Sequence, residues 1–390
     1  MINAIAEIGK YVSGKEINKG DLIKNICIDI NPIKTKKGKN WNQYIVIVNI
    51  NTRKKIIEAD FEAINANNTN TAIKYLFIGN ASANSQKIYV TSNILSNIFQ
   101  SSYLENYNEA KDTVFLKVRS KNKYPYIINP SIMVYSKKNQ EEIDKIKQKL
   151  KVENDEKQLK SLQFKIFKII EEEIQSITGL NPNEISLYTL KIDGKLVCQQ
   201  EKYWDIIYKE KIEKLFEGNG DYKQYFNSNS ICSICSTKNI PTTSNATNLR
   251  LKFYMTNKPG FSSNLDGNFK NNYNICQNCY QHLMIAERYI DENLRIKIGG
   301  LSVYVLPKFT FPKDGFNIDS FSKYIIENTN QIKNLKKAGK ILKDESGKFD
   351  QFKNSYLINY LFYQKTKSEF QILKLMKEIP PSRIETIMRE

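Results

Sequence analysis

Four of the six cysteines fall into two pairs with one spacing, Cys232-Ser-Ile-Cys235 and Cys276-Gln-Asn-Cys279. A Cys-x-x-Cys turn aims two sulfurs at one point, and two such turns offer four soft thiolates to a tetrahedral ion, which for this donor set is zinc. Four protein ligands leave no position for water, so a structural Zn2+ is expected, one that holds the fold and takes no part in chemistry. His282 is the only histidine and lies three residues past Cys279, but four sulfurs already complete the shell. Cys27 and Cys198 have no paired neighbour and are read as buried apolar residues.

Other residue types that carry catalysis are sparse. One histidine excludes nuclease sites built from several imidazoles. No Gly-x4-Gly-Lys-Ser/Thr loop and no Gly-x-Gly-x-x-Gly turn is present, which argues against an NTPase or a dinucleotide enzyme. The expectation is a protein that is not an enzyme. Carboxylate pairs such as Glu58 with Asp60 keep a metal-dependent nuclease open as one alternative, and a stand-alone zinc-ribbon DNA-binding protein is the other.

Charge points to the partner. The 390 residues hold 59 Lys and Arg against 41 Asp and Glu, a net charge of +18 at pH 7, and the complement of such a surface is a polyanion. Three basic features carry the expectation of nucleic-acid binding. The first is a loop with Lys34, Lys36, Lys37 and Lys39 beside Trp41. The second is a segment with Lys117, Arg119, Lys121 and Lys123 near Tyr124 and Tyr126. The third is the Arg250 and Lys252 face of a strand near the second cysteine pair. Lysine and arginine meet phosphates without sequence preference, and neighbouring aromatics can stack on unpaired bases. No run of 18 apolar residues and no secretory leader is seen, so a cytoplasmic protein with no membrane partner and with reduced cysteines is expected.

The elements that must position these residues follow from periodicity. Ile2, Ile5, Ile8 and Val12 mark an amphipathic helix. Alternation at Ile26, Ile28 and Ile30, the run Tyr44 to Ile50, and shorter runs at Tyr75 to Ile78, Lys87 to Thr91 and Val114 to Val118 read as strands. From Asn139 to Gly179 apolar residues at helical spacing lie among alternating charge blocks. Acids and bases nearly cancel there, so this arm is not expected to be the polyanion surface. A further helix spans Tyr203 to Phe216. Leu249, Leu251 and Phe253 read as one strand face between the cysteine pairs, and the second pair runs into a helix carrying Leu283, Ala286, Ile290 and Leu294. Phe321 to Leu335, Tyr356 to Tyr363 and Phe370 to Met376 read as helices, and Pro380-Pro381-Ser382 begins another that stops at Glu390, as in a truncated chain or one whose next module is separate. The expected fold is therefore an α+β multidomain chain. It has a strand-rich mixed N-terminal domain (1–138), a helical arm and linker (139–226), an inserted four-cysteine zinc-ribbon-like module (227–311) and a helical C-terminal part (312–390).

The segments Cys232 to Cys235, Leu251-Lys-Phe-Tyr-Met-Thr-Asn-Lys-Pro-Gly-Phe261 and Asn274-Ile-Cys-Gln-Asn-Cys279 with Tyr289-Ile290, together with the opening Ala4-Ile-Ala-Glu-Ile-Gly-Lys10, carry a resemblance. In these residues the chain resembles the large subunit of the type I-B CRISPR-Cas Cascade surveillance complex, the Cas-eight-b group. The resemblance implies an RNA-guided complex for antiviral defence in which this subunit is not the nuclease. It implies as partners the CRISPR guide RNA, target double-stranded DNA, Cascade backbone and small subunits, and a helicase-nuclease recruited in trans. The implied tasks are recognition of the protospacer-adjacent motif and support of R-loop formation. Family chains are usually longer and end in a helical module, from which the stop at Glu390 departs.

Overall fold

The computed structural model describes residues 1–14, 16–30, 43–64, 68–79, 88–101, 103–104, 107–117, 126–153, 155–251, 269–271, 273–310, 316–333, 356–365, 370–381 and 383. The chain divides into two compact units, Met1–Ile26 with Tyr208–Glu390, and Cys27–Ile207. These boundaries differ from the expected breaks after 138, 226 and 311. Composition shifts mark changes of local character, whereas a unit is defined by which segments bury one another.

Helix α1 (Ile2–Ser13) buries Ala4, Ile5, Ala6, Ile8 and Gly9 on one face, and ends where Gly14 takes a φ of 67°, returning its N–H to the Lys10 carbonyl. After α2 (Lys19–Ile26) the chain enters the unit Cys27–Ile207.

That unit is built on a mixed sheet. Strands β1 (Tyr44–Asn51) and β2 (Ile56–Ala63) form an antiparallel hairpin. Helix α3 (Asn68–Lys74), β3 (Thr91–Ser92), α4 (Leu95–Phe99), α5 (Asn108–Val114), and the paired short strands β4 (Phe115–Lys117) and β5 (Tyr126–Ile128) follow. Helices α6 (Lys137–Val152) and α7 (Glu156–Thr178) lead to β6 (Ile185–Ile192), β7 (Lys195–Leu196) and α8 (Glu201–Lys211). The order is β2-β1-β6-β3, with β6 parallel to β1 and β7 folded back on β6. Both central strands are buried almost throughout, which is why Ile45–Val48 reads as a continuous apolar run and not as an alternation. Asp193-Gly194, at φ 47° and 79°, makes the two-residue turn from β6 to β7, and the Asp193 carboxylate accepts from the Thr52 N–H (2.9 Å) and hydroxyl (2.8 Å).

Helices α6 and α7 form an antiparallel hairpin. Asp155 caps α7 by accepting from the N–H groups of Lys157 (2.7 Å) and Gln158 (3.1 Å). At the other end the buried Glu173 of α7 takes the N–H (2.9 Å) and hydroxyl (2.5 Å) of Ser136 and the Asn139 amide (2.7 Å), so one helix caps its neighbour. Burial pushes the Glu173 carboxyl up, and the three donors together bring it below the usual carboxylate range.

Back in the other unit, β8 (Phe226–Ser230), β9 (Ile240–Thr243) and β10 (Ile275–Cys276) form a sheet of order β10-β9-β8. Helix α9 (Gln277–Asn293) follows β10 directly, and β11 (Arg295–Ile298), β12 (Leu301–Phe309), α10 (Ile318–Lys333), β13 (Tyr356–Lys365) and β14 (Phe370–Ile379) complete the unit, the last sheet running β11-β12-β13-β14. Every residue of α9 from Cys279 to Glu287 is buried, as expected of a helix walled in on all sides. One apolar core joins Ile5 and Ile8 of α1, Tyr280 and Leu283 of α9, Tyr304 of β12 and Tyr356 of β13 with Cys232 and Cys276. The cysteine segment is therefore packed into this larger core. The crossing of α1 and α9 is tight. A Cβ on Gly9 would lie 2.0 Å from the carbonyl oxygen of His282.

The α+β class, the first helix, the strand at Tyr44, the helical arm and the helix after Cys279 stand as expected. Several expectations are corrected. Tyr356 to Tyr363 and Phe370 to Met376 are strands: their β-branched and aromatic residues fit a ladder with β12, so of the first three helices expected there only α10 stands, and the one expected from Pro380 lies largely outside the described residues. Residues 19–26 are helical, and 27–30 extend without a ladder, Ile28 donating to the Phe77 carbonyl (2.9 Å). Tyr75 to Ile78 lies beyond the end of α3, and of Ile88 to Thr91 only Thr91 joins a sheet, Lys87 lying outside the described residues. Strand β6 lies inside the expected helical arm and linker.

Replacing Gly9 by Ala is expected to cost about 1–3 kcal/mol by forcing α1 off α9, read as a lower urea midpoint; an unchanged midpoint would show that the crossing yields freely. Replacing Glu173 by Ala strands buried donors and should cost roughly 1–3 kcal/mol at neutral pH. Because the folded-state pKa of Glu173 is depressed, its contribution is full above the unfolded carboxylate value near about 4.3 and fades as pH falls through the folded one, so the two proteins should converge in acid.

Candidate metal centre

Cys232 and Cys235 sit on the connection between β8 and β9, and Cys276 and Cys279 sit at the junction of β10 and α9. The four Sγ atoms lie within 4.8 Å of one another, and Cys235 and Cys276 approach to 3.8 Å. Cys232, Cys276 and Cys279 are buried, whereas Cys235 is exposed. The first knuckle is closed by its own backbone: Ser236 N–H donates to the Cys232 carbonyl (2.9 Å) and Cys232 N–H to the Thr237 carbonyl (3.0 Å). Ser236 takes a φ of 59° to make that reversal. The Cys276 N–H points at the Cys232 sulfur (3.4 Å), and the Thr237 hydroxyl lies 3.2 Å from that of Cys235. Both groups are suited to thiolate acceptors.

The second knuckle uses a helix start. Cys276 is the N-cap of α9 and Cys279 is its third residue, so both sulfurs lie at the positive end of the helix, where a thiolate is favoured. Without a cation four such groups cannot all ionise. Donation from Cys276 and then Cys279 holds Cys232 far below the usual thiol range, and hydrogen bonding to Cys232 pushes Cys276 up to about 11 and Cys279 higher. A divalent ion resolves this crowding, and four sulfurs with no fifth donor fit a closed tetrahedral zinc site. His282 is not one of the grouped ligands; its ring is buried, and burial followed by Lys10 lowers its pKa, which keeps it neutral. Cys198 is buried against the Lys74 carbonyl (3.7 Å), its thiol pushed up to about 12 by burial, and Cys27 is buried too, as expected of both.

Neighbouring residues that spacing did not reveal hold the centre in place. The Tyr273 hydroxyl is shared between Asn3 Oδ1 (3.1 Å) on α1 and the Ser233 carbonyl (3.2 Å) in the first knuckle. Glu287, buried on α9, accepts from the N–H groups of Arg250 (2.6 Å) and Leu251 (3.0 Å) and so anchors the chain just before residue 252. A lone acid within the apolar run Leu283 to Ile290 was its only signature.

The basic candidates fare differently. Lys34, Lys36, Lys37, Lys39 and Trp41 lie outside the described residues, as do Arg119, Lys121, Lys123, Tyr124 and Lys252. Lys117 is exposed at the end of β4. Arg250 is half-buried, and Leu249–Leu251 join no ladder, while Phe253, the rest of the strand expected there, lies outside the described residues. Of the basic candidates, only Lys117 and Arg250 lie among the described residues, one in each compact unit. Among the described residues no helix is long and apolar enough to cross a membrane.

The family model described as the CRISPR-associated protein TM1802 (cas_TM1802) N-terminal domain matches residues 1–209, and that of the TM1802 central domain matches residues 229–379. No curated protein matches the chain.

Replacing Cys276 and Cys279 together by Ser is expected to abolish bound zinc, from about one ion per chain, and to melt the surroundings of α9. Metal analysis and circular dichroism check this, and retained zinc with an unchanged melting curve would dismiss the centre.

Proposed function

The chain belongs to the CRISPR-associated TM1802 family, and from that premise we propose that it is the non-catalytic large subunit of a type I-B RNA-guided effector complex. In this reading it binds target double-stranded DNA, reads the short protospacer-adjacent motif, supports opening of the duplex beside the guide RNA, and helps recruit the helicase-nuclease. The observation that carries the proposal is the match of both family domains along most of the chain, joined to the net charge of +18. Guided recognition divides labour in a way that suits such a protein: base pairing reads the long target, while protein cations neutralise backbone charge and a few side chains read the short motif.

The metal centre supports the non-catalytic part of the reading. Four thiolates would fill the shell of a zinc ion, leaving no site for a water nucleophile or a scissile phosphate. Zinc would fix the junction of β10 and α9 and, through Tyr273, the start of α1. The protein's own part is then to bind and orient.

The test reconstitutes the complex with guide RNA and backbone subunits and measures binding to duplexes that differ only in the flanking motif. With the chain present, each wrong base of the motif should weaken binding roughly 5- to 150-fold, and the preference should vanish when the chain is omitted. Equal binding with and without the chain would sink the proposal. Cleavage by the isolated chain in magnesium or manganese would replace it with a nuclease, and tight guide-independent duplex binding with a stand-alone DNA-binding protein.

A further inference from the structure

The α6–α7 hairpin is almost neutral by count, with ten lysines and nine acids between Lys137 and Thr178. The fold separates what the count cancels. Because the helices are antiparallel, Lys145, Lys147, Lys149 and Lys151 of α6 share the turn end with Lys157, Lys160, Lys165 and Lys168 of α7, and no acid interrupts either series. Glu141, Glu142 and Asp144 gather toward the opposite end with Glu171, Glu172 and Glu173, where Glu173 meets Ser136 and Asn139. Of the acids at the turn, Asp155 is engaged in capping α7 and Glu156 lies in its first turn, where the helix dipole favours it.

On α7 the basic series has a further feature. Lys157, Ser161, Phe164 and Lys168 follow helical repeats along one exposed line about 16 Å long, with Lys160 and Lys165 exposed on either side. Phe164 is 62% exposed, and the helix already buries Leu159, Leu162, Ile166, Phe167 and Ile170 on its opposite face, so the ring is not needed for packing. The Lys168 ammonium sits 5.1 Å from the Phe164 centroid. Among the described residues Lys157, Lys165 and Lys168 form no ion pair. An exposed aromatic between cations spaced about one per helical turn is the arrangement that tracks a sugar–phosphate backbone while stacking on one of its bases.

We propose that the exposed face of α7 is a binding surface for single-stranded nucleic acid, with Lys157, Lys165 and Lys168 on phosphates and Phe164 stacked on an unpaired base. A duplex keeps its bases paired and offers the ring nothing to stack on, so the single strand is the occupant. The inference rests on the nucleic-acid reading given above and gives it a location.

The test uses the full-length protein and fluorescence anisotropy with short labelled single-stranded DNA, single-stranded RNA and the matching duplex over a salt series. Lys157→Gln with Lys168→Gln should weaken single-strand binding about tenfold at low salt and flatten the log–log salt slope by about 1.4. Phe164→Ala should weaken it about five- to tenfold with the slope unchanged and with duplex binding unaffected. Lys137→Gln with Lys138→Gln, at the acidic end, removes the same charge and should leave binding as in the wild type. Melting curves confirm that these exposed changes leave the fold intact. Loss with DNA alone assigns the surface to a target strand, loss with RNA alone to the guide, and either supports the proposal. Equal losses from the control pair, or wild-type binding by both stripe variants, overturn it; in the second case the face serves an acidic protein partner or none. If the wild-type chain binds no strand and no duplex, the nucleic-acid reading of the whole protein falls with it.

Discussion

The sulfurs of Cys276 and Cys279 lie on the first turn of α9, and α9 is the helix on which its whole unit packs, so the position of the metal centre and the position of the core are a single constraint. Burying Tyr280, Leu283 and Ile290 contributes roughly 1.5–3 kcal/mol per side chain, and the net stability of a domain is only about 5–15 kcal/mol. A shift of α9 by one residue would forfeit several such contributions and also misplace two ligands. The contact of Gly9 with the His282 backbone adds the third restraint, because α1 can lie this close only where one partner has no side chain. Arg288 completes the arrangement by donating to the Lys24 carbonyl at the end of α2 (2.6 Å).

How much of this was legible in the sequence depends on how local its cause is. The cysteine pairs, the amphipathic opening and the helix after Cys279 are written in short-range spacing, and all three were readable. Tyr356–Lys365 was not, because a run of apolar and aromatic residues fits a buried strand as well as a helix face, and only its neighbour β12 decides between them. Strand β6 was hidden for a related reason: its parallel partner β1 lies more than a hundred residues earlier, and no local pattern announces such a pairing. Glu287 and Glu173 were illegible because the donors they satisfy, backbone N–H groups for Glu287 and an N–H, a hydroxyl and an amide for Glu173, are brought near by folding. Gly9 could have been suspected from the small residues Ala6 and Gly9 on an otherwise Ile-rich face.

The same carboxylates bear on the charge of the surface. Glu287 takes two N–H groups, Glu173 takes one with a hydroxyl and an amide, and Asp155 and Asp193 each secure a turn or a helix start. These acids are counted in the 41 that offset the lysines and arginines, yet they are directed into the architecture. Among the described residues most lysines have no such task and are exposed, so the face offered to a polyanion is more basic than the composition states. The near-neutral count over α6–α7 likewise averages a lysine-rich turn end with an acidic opposite end.

The crossing of α1 and α9 also bears on the order in which the protein can be completed during synthesis. Gly9 leaves the ribosome before the His282 backbone it must meet, which follows roughly 270 residues later, and at about 5–20 residues per second this is a delay of about 15–50 s. During that interval Cys27–Ile207 can emerge and fold, since the unit is continuous in the chain. The Ile2, Ile5 and Ile8 face has no native partner until α9 appears, and for that time it is a bare apolar helix suited to a nascent-chain chaperone.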